Sequence, residues 1–136
     1  MSEGGASVTS MLDHVGINCS DLAASRAFYG AVLEPLGYSV VMDGDFGAGY
    51  GADGKPSFWI GTFPGVGPNR EAHLAFVAKD EASVRAFYAA AMASGAESLH
   101  EPRLWPEYHP GYYGAFVRDP DGNNVEAVVH TAGPED

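Results

Sequence analysis

Residues 119–126 read Asp-Pro-Asp-Gly-Asn-Asn-Val-Glu, a turn sequence between two apolar segments. Proline presets φ at one corner and glycine supplies a positive φ at the next, so we predict a β-hairpin that joins a strand over 111–117 to a strand over 124–130. Glu126 then lies on the second strand, among apolar neighbours. Because an isolated buried charge is too costly, this carboxylate must face a lined cavity, pair with a cation or bind a metal.

Working outward, the composition limits the classes of protein. The 136 residues suit one domain, and the hydrophobic content of 46% is ample for a core. The formal net charge of −11 disfavours nucleic acid and anionic membrane surfaces as partners. Residues 1–10 lack the features of a signal peptide and are predicted to be a flexible tail, which favours a cytoplasmic protein. Cys19, the single cysteine, is predicted to be a core thiol.

The chain upstream of the hairpin contains a duplication. Arg-Ala-Phe-Tyr occurs at 26–29 and again at 85–88, and the same offset of 59 separates His14 from His73 and Asp21 from Asp80. Each copy has a strand that begins near the histidine, then an aspartate suited to cap a helix, then the helix itself. We therefore predict two βαβββ modules, over about 11–63 and about 71–131, in an α+β fold.

In the first module the patterns predict strands over 12–19, 38–42 and 57–62, with a further strand possible within 43–54, and a helix that ends near Glu34 because Pro35 cannot continue it. The segment 64–69 reads as a linker. In the second module they predict a strand over 72–78 and a helix over 83–94 that ends at Gly95.

These residues carry a family resemblance. His14-Val15-Gly16-Ile17, the two Arg-Ala-Phe-Tyr helices, His73-Leu74-Ala75-Phe76 and the 119–126 stretch are together similar to the vicinal-oxygen-chelate superfamily, which contains glyoxalase I, extradiol dioxygenases, fosfomycin-resistance enzymes and bleomycin-binding proteins. The resemblance covers nearly the whole chain after the tail. It implies a single domain over 11–136 whose two modules form a cup-shaped sheet, and a divalent metal at the floor of the cup in the enzymatic members.

The resemblance also implies the metal ligands. By position, His14, His73 and Glu126 match the family's ligands, and two imidazoles with one carboxylate suit Fe, Mn, Zn, Ni or Co. The fourth position departs from glyoxalase I, because either Trp59 or Phe58 stands where that enzyme has a ligand. This departure favours members with three ligands, such as extradiol dioxygenases.

The segment 104–113, Leu-Trp-Pro-Glu-Tyr-His-Pro-Gly-Tyr-Tyr, is too aromatic for an ordinary solvated loop, and its two prolines stiffen it. We predict that it forms a wall or lid over the pocket. Tyr113, if it faces into the cup with Ala115, or His109 is the candidate general acid or base. The remaining candidate substrate contacts are Trp59, Trp105, Tyr108, Tyr112 and His130. The alternative is that these side chains pack the rim or a dimer contact.

Two functions are compatible with this pattern. The first is a metal-dependent enzyme, of lyase or dioxygenase type, whose small-molecule substrate chelates the metal through adjacent oxygens. The alternative is a metal-free protein that sequesters an aromatic ligand or an antibiotic, and a fold kept as an interaction domain is a weaker third. By analogy with the family, a homodimer is expected.

Overall fold

The computed structural model describes residues 11–62, 65, 67 and 69–131, so the predicted tail at 1–10 and parts of the predicted linker lie outside the described residues. The first module contains, in order, β1 (Val15–Asn18), α1 (Leu22–Leu33), a short 3₁₀ helix (Glu34–Leu36), β2 (Ser39–Asp43), β3 (Gly47–Ala52) and β4 (Lys55–Gly61). The second contains β5 (His73–Val77), α2 (Glu81–Ala93), β6 (Ser98–Leu104), β7 (Tyr112–Arg118) and β8 (Asn124–His130).

The two modules have the same topology. Their sheets have the strand orders β1-β4-β3-β2 and β5-β8-β7-β6. In each sheet the first strand pairs in parallel with the last strand of its own module, and the other pairs are antiparallel. The predicted α+β fold of two βαβββ modules is therefore confirmed.

Both long helices are capped by the predicted aspartates, and α2 begins at Glu81, two residues before the predicted start at 83. The side chain of Asp21 accepts a hydrogen bond from the Ala24 amide (3.1 Å), and that of Asp80 accepts one from the Ser83 amide (2.7 Å). Each carboxylate satisfies an amide that has no partner within its helix. Among the described residues, neither helix has the length and apolar character that crossing a bilayer requires.

The 119–126 stretch forms the predicted hairpin. The Gly122 amide donates to the Asp119 carbonyl (2.9 Å), and Gly122 has a φ of +87°, the left-handed conformation that glycine adopts without strain. The predicted bounds of the last strand, 124–130, agree with those of β8. The turn thus fixes the register in which Phe116 lies opposite Glu126.

A shared core joins the modules. It contains the buried side chains of α1, such as Tyr29, together with those of α2, such as Phe87, and residues of both sheets. Cys19 is buried, as predicted. The Tyr29 hydroxyl donates to the buried carboxylate of Asp119 (2.6 Å), which connects the first helix to the last hairpin. Burial, and then the charge of Asp119, raises the pKa of Tyr29, so the phenol keeps its proton as a donor.

Candidate functional site

Glu126 is buried on the face of the second sheet that points away from the helices. Its neighbours Val125 and Ala127 are fully buried in the shared core, and because side chains alternate along a strand, Glu126 faces the other way. Only 1% of its surface is exposed. A carboxylate this deeply buried needs partners.

Among the residues that the structure describes, two side chains reach the Glu126 carboxylate. The His73 Nε2 lies 3.1 Å from Oε1, and the Tyr112 hydroxyl donates to Oε2 through a short hydrogen bond. Burial, and then the bond to Glu126, raises the pKa of Tyr112, so its phenol stays protonated and remains a donor. A Cβ atom on Gly114 would lie 3.1 Å from Oε2, so glycine at this position leaves room for the carboxylate.

The orientation of His73 suits a metal ligand. Its Nδ1 faces the backbone carbonyl of Asn124 at 3.2 Å, and a carbonyl only accepts. In the tautomer that donates from Nδ1 to this carbonyl, the lone pair of Nε2 faces Glu126 and can bind a metal. Ligand atoms bound to one ion in adjacent positions lie roughly 2.9–3.4 Å apart, given bonds of about 2.1 Å, so the observed 3.1 Å fits.

His14 is placed elsewhere. It immediately precedes β1, which begins at Val15 rather than at the predicted residue 12, because only residues 15–18 pair with β4. The His14 side chain is 61% exposed and its Nδ1 lies 2.9 Å from Asp13. It lines a cleft whose described lining comes from the first module. The structure thus brings His73 and Glu126 together without His14, and no three His, Cys, Asp or Glu side chains among residues 11–62, 65, 67 and 69–131 are grouped to hold a metal.

Trp59 is the first-module counterpart of Glu126. In the first sheet Gly16 pairs with Trp59, and in the second sheet Ala75 pairs with Glu126. Gly16 and Ala75 are themselves 59 residues apart, the offset of the duplication. Trp59 lines the cleft beside His14, whereas Phe58 is buried in the core. The sequence allowed either Trp59 or Phe58 at the position of the fourth ligand. The structure places Trp59 there, and its indole offers no ligand atom.

The 104–113 segment forms an aromatic wall beside Glu126. The Trp105 indole is 5% exposed, donates its N–H to the Gly114 carbonyl (3.0 Å) and stacks on Tyr108, with ring centroids 5.5 Å apart. Tyr108 in turn contacts Tyr112 edge-on. At the rim, the Nε2 of His109 lies 3.0 Å from the Nδ1 of His130.

Tyr113 does not lie in this site. It does share a face with Ala115, as expected, but that face packs against the helices: Tyr113 is 9% exposed, and Arg85 of α2 donates to its hydroxyl at 3.4 Å. Alternation predicts which residues share a face and leaves open which face is the core. Tyr112 is the tyrosine beside Glu126.

Phe116 is a residue of this site that was not predicted from the sequence. Its ring stacks on His73 at a centroid distance of 6.1 Å and meets Trp105 edge-on at 5.2 Å, so it links the candidate ligand to the aromatic wall. The hairpin register, which places Phe116 opposite Glu126, is the signal that could have identified it.

Comparison with known proteins agrees with this architecture. Residues 11–127 match the family model of the Glyoxalase/Bleomycin resistance protein/Dioxygenase superfamily. The chain therefore belongs to this superfamily, and the predicted membership of the vicinal-oxygen-chelate group is confirmed.

Individual relatives extend the match over most of the chain. The uncharacterized protein YqjT of Bacillus subtilis is 30% identical, in a match that covers 87% of this chain and 98% of the relative. The structure of a glyoxalase/bleomycin resistance protein from Albidiferax ferrireducens is 31% identical with a TM-score of 0.78, over 88% of this chain and 98% of that chain. A putative glyoxalase from Bacillus halodurans is 27% identical with a TM-score of 0.66, over 88% and 96%.

Proposed function

We infer that this protein is a metal-dependent enzyme whose small-molecule substrate chelates a divalent ion through two adjacent oxygens. The observation that carries this proposal is the pairing of His73 Nε2 with Glu126 Oε1 at 3.1 Å, in which the carboxylate is buried and the His73 side chain is 52% exposed. Nitrogen and carboxylate ligands of this kind suit Fe, Mn, Zn, Ni or Co. A divalent ion bound there supplies Lewis-acid stabilisation of negative charge on the substrate oxygens.

The chain's own residues would prepare the site. Tyr112 holds one oxygen of Glu126, which leaves the other directed at His73. Such outer hydrogen bonds orient metal ligands and tune their affinity. The stacked rings of Trp105 and Tyr108 form a wall that excludes water from one side. His109, at the rim and 5.4 Å from the Tyr112 ring centroid, remains the proposed proton donor or acceptor.

The third ligand in this proposal is His14 of a second copy of the chain. In a twofold dimer every contact occurs twice. If the first module of one copy packs against the second module of its partner, the first module of the partner packs against the second module of the first copy. The exposed His14 of each copy would then complete the His73–Glu126 pair of the other. A homodimer would thus hold two equivalent sites, each at an interface.

Mixing two inactive variants tests both the ligands and their origin. His14→Ala and His73→Ala homodimers should each lose stoichiometric metal, measured by elemental analysis after dialysis. Refolded together, they form some heterodimers in which one site regains all three ligands while the other lacks two. Metal content should therefore recover in the mixed dimers to one ion per dimer.

The outcomes separate the alternatives. Absence of recovery, with heterodimers demonstrated by differently tagged subunits, would contradict a shared site. Retention of metal by His73→Ala would contradict the ligand assignment itself. A wild-type protein that never holds metal, yet binds an aromatic ligand tightly, would replace the enzyme with the sequestering function.

A further inference from the structure

Trp59 lies on a floor made of glycine. On one side it pairs with Gly16 of β1, and on the other with Gly49 of β3. A Cβ atom placed on Gly49 would lie 3.0 Å from both Cε2 and Cη2 of the indole, closer than ordinary van der Waals contact. The indole ring therefore packs on the backbone at Gly49. It can do so because its two cross-strand neighbours, Gly16 and Gly49, have no side chains.

The rest of the indole borders an open cleft. This cleft has a volume of about 620 Å³, within the range of small-molecule sites. Trp59 is only half-buried. The exposed side chains of Met42 and Phe46, which are 54% and 58% exposed, stand at the edge of the same cleft. A flat ligand that entered here would find an aromatic surface below it and apolar side chains at the rim.

The wall of the cleft is held in place and is acidic. Arg26 of α1 forms an ion pair with Asp43 (2.7 Å) and donates to the Gly44 and Gly47 carbonyls, which ties the turn between β2 and β3 to the helix. The described lining includes Asp43 and Asp45 and no lysine or arginine. Arg26 offsets the charge of Asp43, so the repulsion of an anionic group from this wall comes from Asp45 and from the net charge of −11 on the whole chain.

The position of the cleft connects it to the proposed reaction. Trp59 occupies in the first module the place that Glu126 occupies in the second. In the proposed dimer, His14, which lines the same cleft, is directed at the partner's metal pair. The body of a bound substrate would then lie over Trp59 while its oxygens reach the ion.

We propose that the first-module cleft binds a planar aromatic ring without negative charge, stacked on Trp59. The substrate class of the enzyme is accordingly an aromatic compound whose chelating oxygens are at one end and whose uncharged or cationic ring is at the other. The substrate assignment rests on the proposed function, whereas the stacking site does not.

Three matched probes test shape and charge by titration calorimetry on the full-length protein. N-methylquinolinium is planar and cationic, protonated decahydroquinoline is a saturated cation of similar size, and 2-naphthalenesulfonate is a planar anion. The planar cation should bind about three- to tenfold more tightly than the saturated cation, because only a flat ring stacks on the indole. It should exceed the planar anion by at least as much, because only a cation is attracted to the face of the tryptophan and to the acidic wall. Equal binding of the saturated cation would overturn the stacking, and equal binding of the anion would overturn the charge selection.

Variants locate the site. Trp59→Leu should lose about tenfold in affinity for N-methylquinolinium, whereas Trp59→Phe, which keeps a ring, should retain the preference for the planar cation. Gly49→Ala should also weaken binding, because its Cβ would lie 3.0 Å from both the indole and the Pro56 side chain and so displaces the ring. Gly30→Ala is the matched control, since a Cβ there meets nothing within 4 Å. Unchanged affinity in Trp59→Leu, with a wild-type circular dichroism spectrum, would overturn the proposal.

A chelator separates this proposal from the metal function. N-methylquinolinium has no chelating oxygens, so its affinity should be the same with and without EDTA. Loss of probe binding in EDTA would contradict an independent stacking site. If the metal binds as proposed but the affinity for N-methylquinolinium is the same in Trp59→Leu as in the wild type, the stacking site alone is refuted.

Discussion

The Tyr112 hydroxyl donates a hydrogen bond to a carboxylate that is almost completely buried. Tyr112→Phe removes that donor and leaves Oε2 of Glu126 without it. We expect the free energy of unfolding to fall by about 1–3 kcal/mol, the range for a buried polar group that loses its partner. Urea denaturation of the metal-free protein measures this. Tyr108→Phe, at a tyrosine that is 56% exposed, should change stability by less than about 0.5 kcal/mol; a similar loss in both variants would contradict the role of the Glu126 contact.

Tyr29 gives the folded protein a predictable sensitivity to alkali. Burial raises its pKa above the ordinary value of about 10, so above that pH the unfolded chain releases a proton that the folded chain retains. The stabilising contribution is complete below pH of about 10 and is lost as the pH rises beyond it. In Tyr29→Phe the decline of unfolding free energy above pH 10 should be shallower by up to about 1.4 kcal/mol per pH unit.

The control for this titration is Tyr108→Phe, which removes an exposed phenol. Its alkaline slope should match that of the wild type. An alkaline slope in Tyr29→Phe as steep as the wild-type slope would show that Tyr29 does not retain its proton in the folded state.

At the scale of elements, replacing two different glycines with alanine should change stability in opposite directions. Gly122 ends the turn before β8 with a φ of +87°, whereas Gly30 lies within α1 with open space around it. Gly122→Ala should destabilise the protein by about 1–2 kcal/mol, because a side chain is strained in that conformation. Gly30→Ala should stabilise it by up to about 1 kcal/mol, because alanine favours helix.

Thermal and urea unfolding of the two alanine variants checks the opposite signs. Because neither added Cβ meets a neighbouring atom, packing does not complicate the comparison. A Gly122→Ala variant as stable as the wild type would mean that the turn adopts another conformation at little cost.

The elements differ in how far the sequence predicts them. The bounds of β8 were predicted because a turn with proline and glycine precedes a strict alternation, and both helices were predicted at their capping aspartates. The bounds of β6 were not predicted: it contains Pro102, and its pairing with β7 shifts register twice, so no regular period marks it in the sequence. Local patterns thus predict regular elements and miss irregular ones.

The candidate site was predicted in part for a related reason. The repeat and the turn identified His73 and Glu126, which the structure brings together. Alternation along β7 shows only that Tyr112 and Tyr113 point to opposite faces. Which of them faces Glu126 depends on which face packs against the helices. The position of His14 relative to that pair depends on how the modules meet, which no local pattern encodes.

At the scale of the molecule, Asp119 connects the modules. Its carboxylate accepts hydrogen bonds from the Tyr29 hydroxyl in the first module and from Asp121 and Asn123 in its own turn. Asp119 is 5% exposed, and Tyr29 is fully buried. Asp119→Ala therefore leaves several buried donors without a partner, and we expect a loss of about 3–5 kcal/mol in unfolding free energy.

This loss should affect both modules together, because their helices and sheets share one core. Trp59 reports on the first module and Trp105 on the second, so Trp59→Phe and Trp105→Phe leave one fluorescent reporter each. In the Asp119→Ala background both reporters should give the same urea midpoint, lowered by the same amount.

The control is Asp121→Ala, which removes a half-buried carboxylate that accepts a hydrogen bond from the Ser20 hydroxyl (2.6 Å). It should lower the free energy of unfolding by about 1 kcal/mol. Separate midpoints for the two tryptophans would show that the Asp119–Tyr29 bond holds together two modules that otherwise unfold independently.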